Sequence, residues 1–190
     1  RDGIVYKQLS FDFPIENEDQ IVKAFEEAVT PRTRVIHVTH VINWVGQILP
    51  VRKICDMAHK KGIEVVVDGA HSFGLLDFKV PDLDCDYFGT SLHKFLSAPV
   101  GSGMMWIRKE KISKIWPLLC NSVPDSANIR KFETLGTRSF CIEQAIGVDR
   151  DDVAIDRGRG GDGGRNDFAL HPERLHPRID QPGAPLVEIQ

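Results

Sequence analysis

The chain has 190 residues, enough for one domain to bury a sizeable core, and its 42% hydrophobic and 27% charged content is that of an ordinary globular protein. A net charge of −3 and a pI near 6.2 argue against nucleic acid or an anionic membrane surface as a partner. No apolar run approaches the roughly 20 residues that a bilayer helix needs, so a membrane role is not expected.

In chain order, the opening RDGIVYKQLS lacks the ordered charged, apolar and small-residue regions of a signal peptide and reads as the middle of a domain. Asn17-Glu18-Asp19-Gln20 before IVKAFEEAV predicts a capped helix, with Asn17 accepting from first-turn amides and Ile21, Ala24, Phe25 and Ala28 on one face. Thr30-Pro31 ends it. The β-branched run from Arg34 to Val41 suits a strand buried on both faces, with His37 packed within it. Pro50 opens a second helix, VRKICDMAHKK, whose apolar stripe is Val51, Ile54, Cys55 and Ala58; Gly62 stops it. His59 near its end reads as a favourable charge at the helix dipole.

Ile63 to Asp68 is the next strand, and strand–helix–strand predicts a βαβ unit on a parallel sheet. Cys85 to Thr90 and Gly103 to Arg108 follow as strands, with a short helix from Glu110 to Trp116. The fold class is therefore α/β, a mostly parallel sheet with flanking helices. Cys55, Cys85, Cys120 and Cys141 lie 30, 35 and 21 residues apart, without CxxC or zinc spacing, so no metal site is expected. Scattered core thiols suit a reducing cytoplasm.

Past about residue 147 the composition shifts. All eleven lysines lie at or before Lys131, whereas six of the thirteen arginines fall in residues 148–190. This Gly-, Arg- and Pro-rich segment has no helical or strand periodicity, which fits either a disordered tail or read-through in another frame.

Ligands of open α/β sheets bind beyond the carboxyl ends of the strands. There the sequence sets His40, then Asp68, then Ser91-Leu92-His93-Lys94. Lys94 stands in an apolar, glycine-bounded stretch with no acidic neighbour. A carboxylate and a lysine at one sheet edge, with histidines and a serine between, suit pyridoxal 5'-phosphate: the lysine condenses with the aldehyde and the carboxylate holds the protonated ring nitrogen.

VVVDGAHSFG and CDYFGTSLHKFLSAPVGSGMMWI, together with Glu133-Thr134-Leu135-Gly136-Thr137-Arg138, carry a resemblance. They resemble the cofactor-binding core of the class V aminotransferase-fold (fold type I) pyridoxal-phosphate enzymes, from about His37 to Gly147. The isopenicillin N epimerase-like branch is nearest, similar in turn to cysteine desulfurases and selenocysteine lyases. The resemblance implies that Lys94 forms the Schiff base and that Asp68, 26 residues earlier, pairs with the ring nitrogen. His71 holds the place where desulfurases carry a glutamine near the ring hydroxyl, and His40 the place of a residue reaching that same ring oxygen. Ser91 and His93 would contact the phosphate, and Thr137 would complete a phosphate site of the neighbouring subunit, because the fold is typically a homodimer.

Each residue also has a plainer reading. Ser91 can bond a turn amide, Gly101 and Gly103 can shape a hairpin, and Trp44 can be a core or interface aromatic. The resemblance further implies that residues 1–147 are the middle of a larger cofactor-binding domain. An N-terminal phosphate loop and a C-terminal small domain with a carboxylate-binding arginine would lie elsewhere. The expected function is a pyridoxal-phosphate enzyme acting on a small amino-acid substrate. A cysteine desulfurase or selenocysteine lyase, and a truncated, non-catalytic remnant, stand as alternatives.

Overall fold

The structure, a computed structural model, describes residues 4–119 and 121–133 and the two-residue strand at 186–187. Cys120, Thr137, Cys141, most of the Glu133–Arg138 stretch and the boundary near Gly147 lie outside the described residues. Helix α1 spans Glu18–Ala28; Asn17 Oδ1 accepts from the Asp19 amide at 2.9 Å, as its position predicts. Helix α2 spans Val51–Lys60 and buries Val51, Ile54, Cys55, Met57 and Ala58, the predicted stripe with Met57 added. Gly62 follows it at φ +69°, a conformation that other residues rarely adopt. No helix among the described residues is long and apolar enough to cross a membrane.

The strands are β1 Val35–Thr39, β2 Glu64–Asp68, β3 Tyr87–Ser91, β4 Gly103–Ile107 and the short β5 Leu186–Val187, adjacent in that order. The first three run parallel, with Thr39 opposite Asp68 and Asp68 opposite Gly89. β4 turns back antiparallel to β3, setting Ser91 opposite Gly103, and β5 is antiparallel to β4. The expected helix after β4 is instead a 3-10 segment, Lys109–Lys114.

One sheet face, carrying Ile36, Val38, Val65, Val67, Phe88, Met104 and Trp106, joins Ile21, Ile54, Cys55 and Ala58 in the main core. Each such aliphatic side chain contributes about 1.5–3 kcal/mol on burial, so this face dominates the stability of the domain. A smaller cluster on the other face joins Tyr87, Ile107 and Ile112. It does not reach β1, whose burial alternates: Val35 is 51% exposed and His37 is exposed. β1 is thus not the doubly buried strand, nor His37 the packed residue, that its β-branched run suggested. Hydrophobicity alone could not say which elements cover each face.

The amino ends of the parallel strands carry a dense ionic lattice. Glu64, first in β2, accepts from Lys111 Nζ at 2.7 Å, Lys114 Nζ at 2.9 Å and the Tyr87 hydroxyl at 2.7 Å. Burial opposes its ionisation, but these three donors outweigh it and pull the carboxyl down to about 2. A carboxylate lowered on folding stabilises the native state above its unfolded pKa, and that stability is lost as pH falls toward the folded value. Urea unfolding midpoints followed from pH 5 down to pH 2 should therefore decline steeply in the native chain, and Glu64→Gln should flatten the decline. An unchanged acid slope in the variant would remove Glu64 from this role.

Candidate functional site

Asp68 ends β2, and its Oδ1 accepts from the Ala70 amide at 2.9 Å, which fixes the carboxylate at the start of a tight turn. The turn closes when the Ser72 and Phe73 amides bond the Gly69 carbonyl at 3.0 and 2.9 Å. The Thr90 hydroxyl bonds the same oxygen at 3.2 Å, and the Gly69 amide reaches the Gly89 carbonyl at 2.7 Å. Gly69 is required here: a Cβ at this position would stand 1.9 Å from the buried Phe88 ring.

The loop carrying Lys94 leaves β3 and returns as β4. Leu92 N bonds Ser102 O, Ala98 N bonds Leu92 O, and the buried Ser102 donates its hydroxyl to Pro99 O at 2.7 Å. Leu96 and Ala98 anchor the loop in the core, and Leu96 packs over Gly74, itself at φ +81°. Lys94 is half-buried, and its Nζ lies 3.0 Å from His71 Nε2. The His71 ring meets Phe95 edge-on, 6.3 Å between centroids. Phe95 and Ser102 escaped the sequence reading; adjacency to Lys94 was the only signal for the first, and none pointed to the second.

The remaining predicted residues divide. Ser91 ends β3 half-buried, on the row that includes Gly89. His93 is exposed, with Nδ1 3.4 Å from Ser102 O. His40 follows β1, its amide bonded to Asp68 O at 2.9 Å. Its side chain is 6% exposed, edge-on to Phe78 at 4.9 Å, and continues the core-facing row of Ile36 and Val38. Burial pulls its pKa to about 4, so it is neutral at physiological pH, and its Nδ1 has no hydrogen-bond partner. Among the described residues, then, the structure brings Lys94 and His71 into contact and joins His40 to Asp68 through backbone only.

The arrangement fits the expected cofactor. Asp68 engages one carboxylate oxygen locally, and the other would suit a protonated ring nitrogen. Beside it in the sheet, Gly89 leaves open space where a side chain would stand, with nothing within 4 Å of an added Cβ. Lys94 supplies an amine, and the loop that holds it begins at the Ser91 hydroxyl.

The family model "Aminotransferase class-V" matches residues 12–132. Isopenicillin N epimerase of Amycolatopsis lactamdurans is 32% identical over 143 residues, 67% of this chain and 36% of that protein. A probable cysteine desulfurase of Halalkalibacterium halodurans is 33% identical over 115 residues, 60% of this chain and 27% of that one. The chain thus spans about a third of the length of the curated relatives it matches. A solved complex of the cystine C-S lyase C-DES with cysteine persulfide superposes with a TM-score of 0.58 at 20% identity, covering 74% of this chain and 40% of that one. This likeness bears on the fold alone.

Gly69→Ala should lower stability by about 1–3 kcal/mol through overpacking against Phe88, read as a fall in the urea midpoint at constant m-value. A neutral result would mean that the turn after Asp68 is not held as tightly as its geometry requires.

Proposed function

This chain belongs to the aminotransferase class-V family, and we propose on that basis that it forms the pyridoxal-phosphate centre of an enzyme acting on amino acids through Lys94. The observation that carries the reading is the contact of Lys94, which among the described residues has no carboxylate partner, with His71, in the same turn that holds the half-engaged Asp68. When bound, the cofactor supplies an electron sink for charge developing at the substrate's Cα.

The roles of the chain's own residues follow from where they sit. Asp68, oriented by the Ala70 amide, would hold a ring N–H and keep it protonated. Lys94 would hold the cofactor covalently and would move a proton at the substrate's Cα. Ser91 and His93 flank the loop as donors for the phosphate. His40, neutral and buried with its Nδ1 unpartnered, would offer that nitrogen to the ring oxygen. Thr137 would serve the partner subunit's phosphate in a homodimer.

Among the described residues, neither cysteine is set up for sulfur transfer. Cys55 and Cys85 are fully buried. Burial pushes the Cys55 thiol up to about 12 and raises that of Cys85 as well. Neither is the activated thiolate that sulfur transfer needs.

Mixed with pyridoxal phosphate, the full chain should develop a visible absorbance band that Lys94→Ala abolishes; an unchanged spectrum in the variant would sink the assignment. Asp68→Ala should still form the band. Exchange of an amino acid's Cα proton in deuterated water, followed by NMR, should then slow by roughly 10³-fold or more, because the carbanion loses its sink. Near-native exchange in that variant would contradict the role given to Asp68.

A further inference from the structure

Two segments 23 residues apart meet at one polar contact, Lys94 Nζ to His71 Nε2 at 3.0 Å. Both ends are held. His71 sits in the turn closed on Gly69 O and is braced by Phe95, while Lys94 begins a loop whose Ser97 amide bonds back to its carbonyl at 3.2 Å. Among the described residues, no carboxylate lies within ion-pair distance of Lys94 Nζ. Lys53, Lys111 and Lys114 each have at least one.

Resting on the reading of Lys94 above, we propose that His71 is its proton-exchange partner and not only a holder of the cofactor ring. An ammonium has three donors and no lone pair, so Nζ cannot attack a carbonyl carbon until it gives up a proton. His71 Nε2 is the atom set to receive it. Imidazole can take and release a proton near neutral pH, which an amide in the same place cannot. A carboxylate there would instead hold the ammonium charged.

Condensation of the ammonium with an aldehyde forms a carbon–nitrogen double bond and expels the carbonyl oxygen as water. Two of the three Nζ protons leave in that water, the third stays on nitrogen, and no external electrons are needed. The first of the two passes from Nζ to Nε2 and on to the departing oxygen. When an incoming amine displaces Lys94, the same path runs in reverse.

The test follows the rate at which the visible band forms when the full chain, purified free of cofactor, meets pyridoxal phosphate in a stopped-flow instrument. His71→Gln keeps a hydrogen-bonding side chain and loses proton exchange. Its condensation rate should fall about 10²-fold or more while the final amplitude stays near native. His71→Ala should show a similar loss, and added imidazole should restore part of its rate through the vacated space. Far-UV circular dichroism checks that both variants fold. The native rate should also show a solvent deuterium isotope effect, which needs no variant. A native rate in His71→Gln, or no isotope effect, overturns the relay and leaves Lys94 as assigned. A loss of amplitude without imidazole rescue also overturns it and makes His71 a cofactor holder alone. A native chain that forms no band overturns both readings.

Discussion

One buried carboxylate ties five segments together at the amino end of the sheet. Asp86, 3% exposed, accepts at Oδ2 from the Val65 amide of β2 at 2.8 Å and from His59 Nε2 of α2 at 3.0 Å. Its Oδ1 lies 3.3 Å from Lys111 Nζ, and its backbone bonds Val65 O and the Arg108 amide beyond β4. A carboxylate buried alone would cost several kcal/mol; here the donors and two nearby cations offset that penalty. Asp84 extends the lattice, pairing with Arg108 and standing 3.6 Å from the other His59 nitrogen.

What the clamp fixes is register. With Asp86 bonded to Val65, the next residue of β3 falls opposite Val66, and Gly89 falls opposite Asp68. The open strip beside the Asp68 carboxylate, and Ser91 at the strand's end, are consequences of that alignment about 10–15 Å away, at roughly 3.3 Å per residue. The two ends of the sheet are chemically different. Fixed charges pair at the amino end, where they contribute stability. At the carboxyl end stand the Asp68 carboxylate, bonded to the Ala70 amide, and the Lys94 amine, bonded to His71.

Much of this was legible in the sequence because the signals were local. The cap at Asn17, the stripe of α2, the glycine stop at Gly62 and the run ending in Asp68 each depend on residues a few positions apart. The β1 and β2 strands align Thr39 with Asp68 as a βαβ unit requires. What escaped was set by contacts distant in sequence. His59 looked like a charge at a helix end, yet it bridges Asp84 and Asp86 from 25 and 27 residues away. His40 stands at the strand end, and the edge-on packing of its ring on Phe78 follows from a strand alternation that spacing alone left open. The need for glycine at position 69 comes from Phe88, on the neighbouring strand, and no local rule contains it.

The oddity of Lys94 takes its meaning from comparison with the other lysines of the fold. Lys53, Lys61, Lys111 and Lys114 each lie within 3.1 Å of a carboxylate oxygen, a partner that favours the ammonium. The buried Lys131 donates to the carbonyls of Ile112 and Pro124 at 2.6 and 2.8 Å, and burial lowers its pKa. A carboxylate partner rewards the charged form and suits a lysine that holds structure. Lys94 alone of these meets a nitrogen that can both accept and donate. An imidazole, unlike a carboxylate, does not by its nature hold an amine in the charged form, and a nucleophilic amine must be able to give up a proton.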